Sequence, residues 1–408
     1  MAPRPRLFGA LLFYLNFWVI LDHLVMIPLA MAISTDIGLK PEHTGYLISS
    51  YPVTAALSAF LSAPFSDRLG RKRLLLFALT GFAFASLGCA LSSNPTQIFF
   101  FRLLSGVFGG PILPNSFAYV GDAFSGKERG HLIANLALSF SAASILGVPL
   151  GAWMSQALGW QSVFYAAALM TLLGVFGLFK GPSFAPEARG KLTRQYKELA
   201  GLWLRPEARA AFFVMFMMMI GLFGFVPNIS VWLSHNYGYG VTDIAHCYMI
   251  GGIGAILGNR LAGRFLTKGW SIGLISGGSL MMALFLGLAC FELFEKPPIE
   301  IFFGGIMLGG SMRIPAHQTI LADLVPVALR GRLMSMNMIV GQMAMGLGGF
   351  WSSPLVRIEA DHMYGMPKIG AVAIITLLCV PFLAARLKHF VLASTSGGPL
   401  PATPNHKV

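Results

Sequence analysis

Long apolar runs are the feature that most constrains this chain. A helix that spans a membrane needs about 20 mostly apolar residues, and a hydrophobic run of 18 or more is already a candidate. Such runs lie at about 7–33, 43–66, 73–93, 96–121, 130–157, 160–180, 209–234, 242–266, 270–294, 298–322, 331–355 and 366–387. The composition agrees, because 55% of the 408 residues are hydrophobic and 11% are charged, unlike a soluble domain. The sequence therefore predicts an all-α membrane protein with twelve transmembrane helices.

Basic residues are concentrated on one side of the predicted spans. With both termini placed in the cytoplasm, 22 of the 29 lysines and arginines fall on the cytoplasmic side and four fall on the outer side. This excess matches the positive-inside rule, so we expect a multi-pass protein of a bacterial inner membrane with cytoplasmic termini. The net charge of +13 does not indicate nucleic acid as a partner, because no basic patch is interleaved with aromatic residues.

An internal repeat divides the spans into two halves. Residues 109–130 can be laid on residues 309–331 with one residue inserted near Arg313, and the matching residues then share one offset. The matches are Pro114 and Pro315, Asp122 and Asp323, Arg129 and Arg330, Gly130 and Gly331, and Gly147 and Gly348. A fixed-period repeat indicates a repeated architecture, and two parallel six-helix halves are a known transporter plan. We expect halves at 1–180 and 209–390, a cytoplasmic linker at 181–208 and a disordered cytoplasmic tail at 391–408.

Three motifs in the first half carry a family resemblance. They read SAPFSDRLGRKR at 62–73, FRLLSGVFGG at 101–110 and ILGVPLGAWMSQALGW at 145–160. On these motifs the chain resembles the major facilitator superfamily, and within it the drug–proton antiporters of the arabinose-efflux type. The resemblance covers the whole chain and implies the major facilitator fold.

The resemblance also implies a gating and structural role for the first motif. In the family this loop braces the inner ends of the helices in one conformation, and Asp122 is an expected partner for its basic residues. The loop residues concerned are Asp67, Arg68, Gly70 and Arg71. The alternative is a loop that is merely basic because it faces the cytoplasm.

The third motif predicts a bend in the fifth span. It contains Gly147, Pro149 and Gly151. Proline removes a helix hydrogen bond, and glycine permits close approach between helices, so we expect a bent helix at the interface between the halves. In the family this element accompanies export.

One acidic residue lies deep in a predicted span. Of the sixteen acids, Asp22 alone cannot be placed in a loop or at a span end. Burying its charge costs roughly 2.5–3.5 kcal/mol on insertion scales, so an intramembrane carboxylate is by default a functional candidate. Arg102 is its expected charge partner on grounds of depth. Asp22 lies roughly 16 Å and Arg102 roughly 9 Å from the outer ends of their helices, and the long arginine side chain can partly close this gap. We predict that this pair couples transport to protons, a role that the family pattern also gives to the arginine. The alternative is that Arg102 extends to the outer interface.

Several polar and aromatic residues are candidates for binding substrate. Arg313 and His317 are four residues apart and share one helix face. The remaining candidates are Asn115, Asn228, Gln342, Trp18 and His23. Arg313 favours an anionic or zwitterionic substrate, whereas Asp22 with aromatic residues would also suit a lipophilic cation. The alternatives are packing roles, and for Arg313 a hydrogen bond to helix carbonyls or a neighbouring helix.

These features together predict a proton-coupled exporter that works by alternating access, with a small molecule, protons and the lipid bilayer as its partners. We expect a monomer without metal or cofactor. The alternatives are a facilitator or proton symporter for uptake, and a membrane sensor that does not transport. An enzyme is not expected, because the sequence has no metal cluster, no G-x-S-x-G motif and no paired intramembrane carboxylates.

Overall fold

A computed structural model describes residues 5–181, 192–291, 298–325 and 327–395. The first half contains α1 (Pro5–Ile37), α2 (Thr44–Leu69), α3 (Arg71–Ala90), α4 (Pro95–Gly109, continuing as Ile112–Ala123), α5 (Gly126–Ala142, a π-helical turn at Ala143–Gly147, and Val148–Leu158) and α6 (Gln161–Phe179). Helix α7 (Leu192–Gly201) follows in the linker. The second half contains α8 (Pro206–Ile220, Leu222–Phe225 and Ile229–Tyr237), α9 (Val241–Leu266), α10 (Ser271–Cys290), α11 (Ile299–Leu324), α12 (Val327–Ser352) and α13 (Met366–Thr395). A short hairpin of β1 (Arg357–Glu359) and β2 (His362–Tyr364) precedes α13.

The twelve predicted spans correspond to α1–α6 and α8–α13. Ten of these helices are long and apolar enough to cross a membrane, judged by length and composition within the described residues. The other two, α11 and α12, have 26 residues each and are also long enough. Their apolar character is reduced by Arg313 and His317 in one helix and by Asn337, Gln342 and several glycines in the other.

Two segments differ from the simple picture of spans and loops. The linker contains α7, a helix that the sequence reading did not anticipate, while residues 182–191 lie outside the described residues. Helix α13 continues to Thr395, five residues into the segment for which disorder was predicted. Residues 396–408 of that tail lie outside the described residues.

The helix ends follow local sequence signals. Helix α4 begins at Pro95, and the Asn94 side chain accepts a hydrogen bond from the Gln97 backbone N–H at 3.0 Å, as expected of an N-cap. Gly70 alone joins α2 to α3, and its φ of 83° lies in a region that glycine adopts without steric strain. The loop motif at 62–73 therefore consists of the end of α2, this one-residue turn and the start of α3.

The basic end of the bundle is the end at which α2 meets α3 and α9 meets α10. It carries Arg71, Lys72, Arg264 and Lys268. Lys72 Nζ donates to the carbonyl oxygens of Phe179 and Gly181, at 2.8 and 2.6 Å, and so ties α3 to the end of α6. The opposite end carries the α1–α2 connection and the β-hairpin.

The two halves are packed together near the opposite end. Buried side chains form one apolar cluster there that includes Leu29 of α1, Val148 of α5 and Trp232 of α8. Small residues let α2 approach α12, where Gly45 faces Ser353 and Gly349 faces Ser49. Nearer the basic end, two further clusters are built mainly from one half each. The bundle is therefore continuous across the halves at the opposite end and divided towards the basic end.

Candidate functional site

Asp22 and Arg102 form a fully buried ion pair. Arg102 Nη1 of α4 lies 2.6 Å from Asp22 Oδ2 of α1, and both side chains are 0% exposed. Ser86 of α3 donates its hydroxyl to the other carboxylate oxygen, Oδ1, at 2.8 Å. The carboxylate is thus held by an arginine and a serine from two neighbouring helices. Removing one partner of such a pair leaves an uncompensated buried charge, which costs about 3–5 kcal/mol.

Aromatic side chains complete the surroundings of Arg102. Its guanidinium carbon lies 5.2 Å from the centre of the Tyr51 ring of α2, within the range of a cation–π contact. The His23 ring stacks on the same tyrosine, with 4.7 Å between ring centres and 24° between planes. Arg102 Nε and Nη2 are buried without a hydrogen-bond partner among the described residues. The charge of Arg102 therefore depends chiefly on the one carboxylate of Asp22.

Two of the predicted substrate residues lie close to this pair in the chain. His23 is partly exposed, and its buried Nδ1 has no hydrogen-bond partner among the described residues. Trp18 is also partly exposed and packs against the rings of Tyr14 and Phe17. Neither residue lines the cavity described next.

A cavity of about 300 Å³ lies towards the basic end, between α2 and α4 of one half and α12 of the other. Asn115 and Gln342 line it, as does Leu199 of the linker helix α7. Its further polar lining consists of Ser62, Ser66, Arg71, Arg332 and Ser335. The volume is at the lower end of the range for small-molecule sites, and the two halves both contribute to it.

The predicted gating motif forms contacts beside this cavity. Arg71 Nε lies 3.2 Å from Asp122 Oδ2, so the expected partnership between the loop arginine and this acid is present. Arg71 also donates to Ser66, whose hydroxyl donates to Asn115. The side chain of Asp67 lies outside the described side chains. Arg68 is exposed at the end of α2.

Helix α7 lies against both halves near the cavity. Tyr196 donates its hydroxyl to the Leu61 carbonyl of α2 at 2.6 Å, and burial raises the pKa of this phenol, which favours its protonated, donating form. Glu198 pairs with Arg332 of α12 at 2.8 Å. The linker thus contacts one helix from each half.

The proline motif lies between α1 and α9, at a π-helical turn within α5. The last segment of α5 begins at Val148, directly after the π-helical turn Ala143–Gly147, and Pro149 is its second residue. A Cβ on Gly147 would lie 2.9 Å from Leu21 Cδ1, and one on Gly151 would lie 2.6 Å from Val25 Cγ2, both on α1. Ser144 donates to the Tyr248 carbonyl of α9 at 3.0 Å. The π-helical turn and the segment after it therefore lie at the interface between the halves, against the helix that carries Asp22.

Arg313 and His317 are buried inside the second half and do not line the cavity. Arg313 is 0% exposed, and its two terminal nitrogens lie 3.4 Å from Ser279 Oγ of α10 and 3.4 Å from the Met218 carbonyl of α8. His317 Nε2 lies 3.1 Å from Asn337 Oδ1 of α12. These contacts are inter-helix hydrogen bonds, the alternative that the sequence left open for Arg313.

Asn228 is not at the cavity either. Its Nδ2 donates to the Gly224 carbonyl and to Ser352 Oγ of α12, both at 2.9 Å, at the opposite end of the bundle. Among the predicted substrate residues, the structure therefore brings only Asn115 and Gln342 together in one cavity.

Sequence reasoning missed several residues of these sites. Ser86 and Tyr51 contact the Asp22–Arg102 pair, and Arg332 and Ser66 line the cavity. A single serine or tyrosine in an apolar helix gives no distinctive pattern. Arg332 directly follows the repeated Arg-Gly pair, and this position in the repeat is the sequence feature from which it could have been identified. Among the described residues, no group of three or more His, Cys, Asp or Glu side chains is arranged to hold a metal ion.

The sequence matches the model of the Major Facilitator Superfamily over residues 6–355. It is 22% identical over 375 residues to a bicyclomycin resistance protein homolog of Haemophilus influenzae, covering 88% of this chain and 92% of that protein. It is 35% identical over 151 residues to a gallate transporter of Pseudomonas putida, which covers 37% of this chain and 34% of the relative. In fold it is similar to the crystal structure of a D-xylose–proton symporter, with a TM-score of 0.73, 15% identity and coverage of 96% and 99%.

Proposed function

The chain belongs to the major facilitator superfamily, and we propose that it is a proton-coupled exporter that moves a small molecule across the membrane by alternating access. The family consists of transporters, and one relative is named as a gallate transporter, so this protein is a transporter and not an enzyme. Its helices form the two six-helix halves of that fold. The direction of transport and its coupling to protons are the parts that we propose.

The buried Asp22–Arg102 pair carries the proton-coupling proposal. When Asp22 is ionised, its charge is matched by Arg102 and by the Ser86 hydroxyl. A proton bound to the carboxylate would remove the negative charge and leave Arg102 without an ionic partner, since its other nitrogens have none among the described residues. The pair then separates or recruits another anion, because an unpaired buried charge is strongly unfavourable. Binding and release of one proton would in this way change the packing of α1 against α4.

The division of the bundle supports alternating access. We place the basic end in the cytoplasm, in the inner membrane of a bacterium, on the positive-inside rule. The cavity then faces the side from which an exporter loads its substrate, while the packed opposite end separates it from the outside. The halves would rock about this contact, so that the cavity closes at the basic end as the opposite end opens.

The proline motif of α5, with its π-helical turn, and one relative support export in particular. The Gly-Pro-Gly element lies between α1 and α9, where it can affect both proton binding and the contact between the halves. The homolog from Haemophilus influenzae is named for resistance to bicyclomycin, and resistance is consistent with efflux. The protein acts as a monomer in this proposal, because each six-helix half has its partner within the same chain.

Proton flux in proteoliposomes tests the coupling. Purified protein is reconstituted with a pH-sensitive dye in the lumen, and candidate substrates are added while internal pH is recorded. We expect substrate-dependent proton movement in the wild-type protein and a reduction of at least about tenfold in Asp22→Asn. Glu359→Gln removes an exposed carboxylate on the hairpin and is the matched control, which we expect to behave as wild type. Coupled flux that persists in Asp22→Asn would contradict the proposal.

A second candidate is proton-coupled uptake, because the same fold serves a D-xylose–proton symporter. The gallate transporter of Pseudomonas putida, which is 35% identical over about a third of each chain, does not distinguish uptake from export, because its name gives neither the direction of transport nor its coupling. An imposed pH gradient discriminates the two directions. Export predicts that substrate and protons move in opposite directions, whereas symport predicts that they move together.

A further inference from the structure

Each half buries one arginine between its first, third and fourth helices. In the first half Arg102 of α4 meets Asp22 of α1, and Ser86 of α3 completes the group. In the second half Arg313 of α11 meets Ser279 of α10 and the Met218 carbonyl of α8. These helices occupy the same three places in their half. The second site thus also joins an arginine to a serine, but Arg313 is the fifteenth residue of its helix whereas Arg102 is the eighth, and the third partner is a backbone carbonyl instead of an acid.

Within the described residues, Arg313 is the buried charged side chain that lacks a counter-ion. Among the described residues, the other fully or nearly buried charged side chains are Asp22, Arg102 and Glu207, and each has an oppositely charged partner within 4 Å. Arg313 has none, its Nε is unpartnered, and its two hydrogen bonds of 3.4 Å are long compared with the usual 2.7–2.9 Å of charge-assisted bonds. Buried charges in proteins are normally paired, so this site lacks one negative charge.

Helix α12 offers a second free donor, where it contacts His317 on the next turn of α11. Asn337 Oδ1 can only accept, so the proton in its hydrogen bond is on His317 Nε2. The Nδ2 amide group of Asn337 is buried and has no hydrogen-bond partner within the part of the chain that the structure describes. Among the described residues, the unpartnered donors at this site are thus Arg313 Nε, one helix turn before His317, and Asn337 Nδ2, whose side chain contacts His317; the Nδ1 of His317 is likewise buried without a partner. On α12, Asn337 lies between Ser335 and Met338, which line the cavity.

We propose that Arg313 binds a carboxylate group of the transported substrate, with Asn337 as a second donor. This inference rests on the proposed transport function, because the substrate reaches α12 through the cavity. A shift of α12 away from α11 breaks the His317–Asn337 hydrogen bond and opens Arg313 to the cavity. The carboxylate then supplies in the second half the negative charge that Asp22 supplies in the first.

Ligand-dependent thermal stability of the purified full-length protein tests this assignment. The probes are gallate and benzoate, each compared with its neutral methyl ester, and chloride, all at constant ionic strength. The variants are Arg313→Gln, Arg313→Lys and the control Arg260→Gln, which removes an exposed arginine from α9. We expect a carboxylate to stabilise the wild type and Arg260→Gln, and its ester to have no effect. Arg313→Gln should weaken the apparent affinity at least about tenfold, and Arg313→Lys should weaken it less.

Each other outcome counts against the assignment. Equal stabilisation by ester and carboxylate, no stabilisation by either carboxylate, or wild-type affinity in Arg313→Gln would overturn it. An Arg313-dependent response to chloride alone would show an inorganic anion site and overturn the role in substrate binding. If Arg313→Gln does not fold, the comparison of carboxylate with ester in the wild type and the affinity of Arg313→Lys decide whether the carboxylate binds at Arg313. Asp22→Asn should still bind the carboxylate, so a failure of proton coupling and a failure of anion binding are distinguishable.

Discussion

At the scale of single residues, Asp22 and Arg102 are each tolerated in the interior only while the other charge is present. Arg102→Gln leaves a buried carboxylate without its cation, and we expect it to destabilise the protein by about 3–5 kcal/mol. The double variant Asp22→Asn, Arg102→Gln removes both charges and should recover a large part of that loss. Thermal unfolding of the single and double variants in one detergent measures the coupling. Losses that simply add would mean that the two side chains do not depend on each other.

The residue scale also shows what the sequence could and could not predict. Asp22 was identifiable because a carboxylate inside an apolar run is costly, and its contact with Arg102 followed from depth along two helices. Ser86 and Tyr51 were not identifiable, because such residues are common in apolar helices and only packing selects them. Arg313 was recognised as unusual, but its burial against α8 and α10 depends on helix rotation, which spacing along one helix does not determine.

At the scale of elements, the last segment of α5 requires small residues where it meets α1. Gly151→Ala adds a Cβ that would lie 2.6 Å from Val25 Cγ2, three residues after Asp22 on the same helix. Relieving this overlap moves α1 or α5, and such overpacking costs about 1–3 kcal/mol. We expect a lower unfolding temperature and slower transport.

Gly130→Ala is the matched control for this change. Gly130 lies on the same helix, and a Cβ there would have no neighbouring atom within 4 Å. We expect wild-type transport and stability in this variant. If both variants lose transport and stability to a similar extent, the effect comes from the change within α5 itself and not from the contact with α1.

Helix positions followed from the length of the apolar runs, because a span must satisfy its own backbone hydrogen bonds in lipid. Helix α7 escaped prediction since it is short and lies in a polar, basic linker, where no apolar run marks it. Its position depends on tertiary contacts, in particular those of Tyr196 with α2 and Glu198 with α12.

At the scale of the whole molecule, the internal repeat predicted two halves but not which end of the bundle separates them. The same twelve helices form the bundle whether it opens at one end or the other, and the difference lies in contacts between the halves. The structure closes the opposite end through α2, α8 and α12. The spacing of residues along the chain does not determine contacts between the halves. The sequence therefore could not predict which end of the bundle is closed.

Alternating access requires these contacts at the opposite end to break in every cycle. A Cβ on Gly45 would lie 3.5 Å from Ser353 Cβ, within the range for a disulfide between α2 and the turn after α12. We therefore expect Gly45→Cys with Ser353→Cys, in a background with the exposed Cys379 changed to serine, to cross-link on oxidation. The bond would hold the halves together and reduce transport in proteoliposomes at least about tenfold, with recovery on reduction. The controls are the same double variant kept reduced and the Ser353→Cys single variant under oxidation, since in Gly45→Cys alone the new Cβ would overlap the Ser353 hydroxyl. Full transport by the cross-linked protein would show that the halves need not separate here, and the rocking motion would have to be located elsewhere in the bundle.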